Sequence, residues 1–474
     1  MDLFAGVLRI HFFWKRHPGE RHIPEPQRGE ARCFASRLRS LSFAAAVLLC
    51  AGAAALKAPE ASAQIAYSRE VGREMLKDIK RDIKENYYDP TFHGKDLDKH
   101  FKAAEDMLSR AETTDQVYTV VAQSLMDFED SHLYFIPPMW SSSAEYGWRM
   151  KMVGNEAYVV AVQPGSDAEV KGLRQGDQVL SVDGFAPERA THWKMEYYYY
   201  ALAPKPGMAI MVRGPDGKAK QLQVASKITK GKVVQDVGGH DWYQRKIEAE
   251  KDAELYKSRL LDFGDDLLVW KMPTFELEKE KVNEAMDRAR KHKALVVDLR
   301  GNPGGYLDTL LTLLGNFFDH DLKLGDTKSR KETKPLLAKT RGADGVYTGK
   351  LIVLVDSESA SASELFARAI QLEKRGTVLG DRTVGAVMVA RFFDHKIGLG
   401  EFTLYGVSVT ERDLVMTDGN SLEHAGVTPD EVLLPSAADM ASGRDPVLAR
   451  AAALAGVRLE ADKAGALFPT LWKK

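Results

Sequence analysis

The sequence predicts a multi-domain α/β (α+β) protein in three parts: a helical N-terminal region, a β-rich middle and a mainly parallel α/β core. Three observations carry this. Apolar residues recur at helical spacing over 67–138, short β-rich runs separated by turn residues fill about 145–228, and strands alternate with helices from about 266 onward. A chain of 474 residues has room for about three domains. The expected divisions are a leader at 1–63, a helical domain at 64–142, a β-rich domain at 143–228 and the α/β core at 229–474.

The leader is read from residues 41–56 (LSFAAAVLLCAGAAAL), an Ala-rich apolar stretch behind Arg37 and Arg39. It is shorter than the ~20 apolar residues that span a bilayer. Ala61-Ser62-Ala63 follows in the small-x-small form of a signal-peptide cleavage site, which places the cut before Gln64. An uncleaved anchor is the alternative; a lipoprotein at Cys50 is disfavoured because Leu49 stands where a small residue is wanted. The residues ahead of Arg37 exceed an ordinary n-region and suggest an upstream start codon. The expectation is export, most simply into a periplasm, with no membrane span left in the mature chain. Cys33 and Cys50 both fall in the leader, so the mature chain is cysteine-free, which suits an oxidising compartment.

The helical region is set by Val71, Met75, Ile79 and Ile83, stopped by Asn86–Pro90, and restarted at Thr113 with Gln116 three residues on. In the middle, Ala157–Val162, Gln178–Val182 and Met208–Val212 read as strands, and Pro215-Asp216-Gly217 as a hairpin turn before Gln221–Val224. Residues 229–260 read as a charged linker. The core strands are Leu267–Trp270, Ala294–Leu299 and Leu351–Val355, with helices near 279–292, after Tyr306 and from Ser361.

Composition narrows the function classes. The 44% hydrophobic and 28% charged content is that of an ordinary globular protein. Lys and Arg total 66 against 67 Asp and Glu, so no basic surface for nucleic acid is indicated. The first 63 residues hold nine Lys and Arg and five Asp and Glu; the remainder is acidic, 57 against 62. Two cysteines exclude a disulfide scaffold and a multi-Cys metal site, and HExxH, EF-hand, GxxxxGK[ST] and strand-borne GxGxxG patterns are absent. No metal or nucleotide cofactor is implied.

The string VQPGSDAEVKGLRQGDQVLSVDG (162–184) resembles the PDZ domain. That likeness implies an edge strand that captures an extended peptide by β-augmentation. Tyr146-Gly147-Trp148-Arg149, taken as preceding the first strand, falls where the carboxylate-binding loop is expected, without that loop's usual glycine-leucine-glycine form.

Two core segments carry chemistry. VVDLRGNPGGY (296–306) ends a buried strand in Asp298 and Arg300 and opens a Gly-rich turn; it is either a tight connection or a place where Gly304 or Gly305 aims an N–H at an oxyanion. LIVLVDSESASASELFARAIQ (351–371) runs from an apolar strand through small polar residues into a helix. A serine there is either the helix N-cap or a nucleophile beside a helix N-terminus. Together with the upstream PDZ-like string, these segments resemble the C-terminal-processing (tail-specific) serine proteases and the core domains of tricorn protease, over about 120–435. The resemblance implies a protease core of the ClpP/crotonase-like kind and polypeptide substrates, with Ser361 of Ser359-Ala360-Ser361-Ala362-Ser363-Glu364 as nucleophile. A homo-oligomer is left open.

The base departs from the tail-specific pattern. Where that branch has a lysine in GxxTxGKGxxQ, this chain has Ala386, which cannot take a proton. Asp130-Ser131-His132 and Glu423-His424-Ala425-Gly426-Val427-Thr428-Pro429-Asp430 resemble the tricorn-like Ser–His–Glu pattern instead. By that likeness His132 is the base, Glu423 the orienting acid acting through Ser131, and the N–H groups of Ala362 and Gly304 or Gly305 the oxyanion donors. His424 is a weaker candidate base, His395 reads as surface, and Ser359 and Ser363 read as helix-capping. The opposing expectation is a peptide-binding scaffold that has lost catalysis. The aromatic run Trp193, Tyr197, Tyr198, Tyr199, Tyr200 reads as packing first and peptide-binding surface second.

Overall fold

A computed structural model describes residues 43–138, 142–230, 257–398, 403–470 and 472. Cys33 and all of the region read as an extended n-region lie outside the described residues, as does 231–256 of the expected linker. The backbone from Phe43 to Asn86 is one helix. Among the described residues no helix is long and apolar enough to cross a membrane.

That helix stops where the sequence runs into Tyr87–Pro90. Helices Leu97–Leu108 and Thr114–Met126 follow, the first capped by Asp96 and the second by Thr113, whose side chain accepts from the Gln116 N–H. Met75, Ile79 and Ile83 bury against Phe101, Leu108, Val121 and Leu125. The helices do not close on themselves. Their apolar face continues onto Tyr405, Val407 and Val409 of the long strand Thr403–Met416.

The middle region is a five-stranded antiparallel sheet running Trp148–Val153, Glu156–Val162, Gln178–Val182, Gly207–Arg213, Ala219–Ala225 in both chain and spatial order. Alternating residues (Val159, Val179, Ile210, Val212) fill its core. Gly217, at φ 81°, supplies the left-handed position of the expected hairpin turn. This sheet docks on the core through Lys151 Nζ on Asp356 Oδ2 (2.9 Å), Gly154 N–H on Asp381 Oδ2 (2.9 Å) and the Ser357 hydroxyl on the Met152 carbonyl. A cavity of about 710 Å³ lies between sheet and core, lined by Arg149, Lys151, Lys271, Asp298, Arg300 and Asp445 among others.

The core is a six-stranded sheet ordered Glu431–Val432, Thr377–Gly380, Lys350–Val355, Ala294–Asp298, Leu267–Lys271, Arg259–Phe263. All neighbours are parallel except the last pair. Leu295, Val297, Leu351 and Val353 pack under helices Lys279–Ala289, Leu307–Leu314 and Ala362–Leu372. Val296, Ile352 and Leu354 point the other way, onto Val447, Leu448 and Ala451. Burial on both faces explains why these strands read as continuous apolar runs.

One part of the architecture departs from the expected alternation. A second, antiparallel sheet joins Tyr134–Ile136, Thr403–Met416, Leu322–Lys328 and Thr333–Ala338, with Met388–Ile397 also paired to Thr403–Met416. Leu322–Lys328 and Met388–Ile397 interleave Lys, Arg or Asp with their apolar residues, so no apolar run announced them.

Candidate active site

Strand Lys350–Val355 is buried from Leu351 onward, and helix Ala362–Leu372 buries Leu365, Phe366, Ala369 and Ile370. The short turn between them must reverse the chain at the carboxyl edge of the sheet. Ser361 ends that turn at φ 55° and ψ −116°, a conformation that costs an L-residue about 1–3 kcal/mol unless its surroundings hold it. They do. The Ser359 hydroxyl donates to the Leu299 carbonyl (2.8 Å) and accepts from the Asp356 N–H (2.9 Å). Asn302 O accepts from the Ser363 hydroxyl and the Ala360 N–H, both at 3.0 Å. Ser359 and Ser363 therefore stitch the turn to the 299–302 loop instead of capping the helix, a correction to the sequence reading.

Gly304 lies directly against the serine: a Cβ there would stand 2.7 Å from Ser361 Cβ. Its N–H, however, donates to Asn302 Oδ1 at 2.8 Å. Of the expected oxyanion donors this removes Gly304 and leaves Gly305 and Ala362, whose N–H groups are engaged by no other described residue.

His132 reaches the site from the far end of the chain. Its turn lies between helix Thr114–Met126 and strand Tyr134–Ile136, and that strand pairs with Thr403–Met416. Asp130, buried, accepts from the Tyr87 hydroxyl (2.9 Å), the Thr410 hydroxyl (2.7 Å) and the His132 N–H (2.9 Å). Glu423 Oε1 accepts from the Ser131 N–H (2.9 Å), and its Oε2 from the Ser131 hydroxyl (2.9 Å) and the Val387 N–H (2.7 Å). Ser131 Oγ stands 2.8 Å from His132 Nδ1. Because an ionised carboxylate only accepts, the Ser131 proton points to Glu423 and its oxygen must accept from Nδ1–H. This network assigns the tautomer that leaves Nε2 with a free lone pair. Burial holds the imidazole below its ordinary value, against the pull of Glu423 and Asp130, so it stays neutral near pH 7.

His132, Ser131, Ser361, Ala362, Gly304 and Gly305 line one cavity of about 830 Å³. Trp193, Tyr134, Leu365, Met388 and Phe392 give it an apolar wall. Ala386 lines it too, offering no amine; its carbonyl accepts from the Ser361 N–H at 2.9 Å. His424 is exposed, with Nε2 3.8 Å from Glu423 Oε1.

Glu364 was missed by sequence reasoning. It is fully buried, and its carboxylate accepts from Ser361 N–H (2.9 Å), Ala386 N–H (3.0 Å), Gly385 N–H (2.7 Å) and the Thr383 hydroxyl (2.5 Å). Burial pushes it up to about 7, against those hydrogen bonds. A Glu three residues after a helix-capping Ser is a capping-box signal that could have flagged it.

Other expectations are corrected. Trp148 opens its strand instead of preceding it, and the Tyr146 and Trp148 side chains lie in the middle region's core. Only Gly147, at φ 72°, sits in a turn, its carbonyl accepting from the Gln163 N–H. His395 is no surface residue: Nε2 stands 2.6 Å from buried Asp82. Of the aromatic run, Tyr197 and Tyr199 are core, while Trp193 reaches the cavity. Among the described residues no group of three His, Cys, Asp or Glu side chains could hold a metal ion.

Fold and site define an α/β core with a serine at a strained strand–helix turn and, lining the same cavity, a histidine linked to a carboxylate through Ser131. Residues 266–433 match the model of Peptidase family S41. The chain is 24% identical over 291 residues to the probable CtpA-like serine protease of Staphylococcus haemolyticus, which covers 60% of this chain and 51% of that protein. It is 23% identical over 389 residues to the carboxyl-terminal-processing protease of Picosynechococcus sp., covering 78% and 84%. The match thus spans about half the length of the first relative. In fold the chain is similar to the crystal structure of mature CPAF (TM-score 0.59, 16% identity, 79% of this chain and 94% of that one). Its core is thus similar to that of the S41 peptidases, and C-terminal-processing proteases are among the proteins it resembles.

Proposed function

We propose that the protein is an exported, periplasmic serine endopeptidase that cuts polypeptides through an acyl-enzyme. Supporting this above all is the Glu423–Ser131–His132 hydrogen-bond chain, which leaves a bare Nε2 in the cavity that Ser361 also lines. Ser361 Oγ attacks the scissile carbonyl carbon while its proton passes to His132 Nε2. The oxyanion is met by the N–H groups of Gly305 and Ala362. The C–N bond then breaks, the amine leaves with the proton from His132, and water attacks the ester by the same route. Glu423 steadies the imidazolium through Ser131. The middle region, read as a PDZ domain, would hold the substrate's tail along strand Trp148–Val153, which among the described residues stands at the sheet edge with one neighbour.

The test is labelling of the protein with a fluorophosphonate. Labelling is expected to vanish in Ser361→Ala and to slow by about 10²–10⁴-fold in His132→Ala. Undiminished labelling in His132→Ala would discard the triad, and no labelling of the unaltered protein would favour a peptide-binding scaffold without catalysis.

A further inference from the structure

Glu364 touches no part of the substrate space, yet it joins the nucleophile to the loop where the tail-specific lysine is missing. Its Oε2 takes the N–H groups of Ser361 and Ala386, and its Oε1 takes the Gly385 N–H and the Thr383 hydroxyl. The same loop is held one residue further on by Glu423 through the Val387 N–H. Two carboxylates therefore pin the 383–387 backbone, one from the nucleophile's side and one from the base's side. The relative position of Ser361 and His132 depends on both pins.

All four partners of Glu364 are donors, an arrangement complete only for the ionised carboxylate. Protonation turns one oxygen into a donor facing donors. Thr383 is the one partner whose hydroxyl could reverse, and its oxygen already accepts from the Val427 N–H at 2.6 Å. The charged side chains on the packed elements are engaged elsewhere. Arg368, on the same helix, holds Asp418; Asp381, on the adjoining loop, meets Arg189; Asp356, at the strand end, meets Lys151; Glu423 bonds Ser131. Arg382 and His424 line the catalytic cavity. Among the described residues no cation pairs with Glu364 to fix its charge.

We propose that Glu364 is a positioning residue for the hydrolytic reading above: its ionised carboxylate holds Ser361 in register with His132, and loss of its charge loosens that register and slows attack. Because burial lifts Glu364 to about 7 while it lowers His132 below 6.5, two acid limbs are expected instead of one. The upper limb belongs to Glu364.

The experiment is the pH profile of fluorophosphonate labelling from pH 5 to 9, on the full chain and on Glu364→Gln, which mimics the protonated form. The unaltered protein is expected to lose about tenfold in labelling rate through pH 7, the equivalent of one hydrogen bond to a charged group, before a second fall below 6.5. Glu364→Gln should start about tenfold slower at pH 8 and show only the lower limb. An identical profile in Glu364→Gln overturns the proposal. Should that variant not fold, a single limb below 6.5 in the unaltered protein overturns it as well. Absence of labelling at every pH overturns the hydrolytic reading and this inference together, whereas labelling with one limb overturns the inference alone.

Discussion

Two carboxylates buried at the carboxyl edge of one sheet are held in opposite ways. Asp298 ends strand Ala294–Asp298, Glu364 lies in the first turn of the helix after the neighbouring strand, and both are 0% exposed. Burial pushes both up. Asp298 nevertheless stays far below the usual carboxylate range because Arg300 grips both its oxygens (2.9 and 2.8 Å) and Lys271 stands 3.3 Å away. Glu364 meets only neutral donors and rises to about 7. Burial alone does not decide the charge of a group; the partner does. A cation makes a carboxylate structural, and neutral donors leave it able to titrate where the protein works.

The largest effect should come from removing the cation. Arg300 also grips Asp445 through two hydrogen bonds of 2.9 and 2.8 Å, so Arg300→Met leaves buried Asp298 with Lys271 alone and half-buried Asp445 without its cation. A loss of about 3–5 kcal/mol in urea unfolding is expected. A loss below about 1 kcal/mol would show that Lys271 suffices and would break the comparison.

Next comes the pH dependence, whose sign differs between the two. The Asp298 contribution is present above the unfolded carboxylate pKa and is lost only as strong acid reaches its depressed folded value. For Glu364 the folded value lies above the unfolded one, so its contribution is fullest below about 4.5 and is lost as pH rises to about 7. Between pH 5 and pH 8 the stability of the unaltered protein relative to Glu364→Gln should drop by about 2–3 kcal/mol. An unchanged difference in paired urea titrations would sink the idea of a raised carboxylate.

The smallest effect sharpens the contrast with a third carboxylate. Ser131→Ala removes the hydroxyl between Glu423 and His132, leaving Nδ1–H without its acceptor. Fluorophosphonate labelling should slow by about tenfold, the worth of one hydrogen bond, with the limb near pH 7 kept. Labelling at the full rate would mean that Glu423 does not act through Ser131.

How much was legible follows the same division between local pattern and distant partner. The parallel strands announced themselves because burial on both faces leaves continuous apolar runs such as Leu351–Val355. Ser361, His132 and Glu423 were visible as motifs. The antiparallel strands Leu322–Lys328 and Met388–Ile397 were not, since neither carries a continuous apolar run like those of the parallel strands. The Asn302 bond to the Gly304 N–H is a local Asx turn that the sequence reading passed over, but nothing local could reveal that Asp82 covers His395 or that Tyr146 and Trp148 turn inward. Those two depend on what another stretch of chain brings.

Ser131 and Glu423 are 292 residues apart in the chain, and strand Thr403–Met416, which fixes the turn bearing His132, is almost as late. On the proposed reading, a polypeptide made from its N-terminus carries base and nucleophile before the acid and that strand arrive. The proposed catalytic group would therefore stay incomplete until that late segment has emerged. By that reading, the order of the residues sets when the site can assemble.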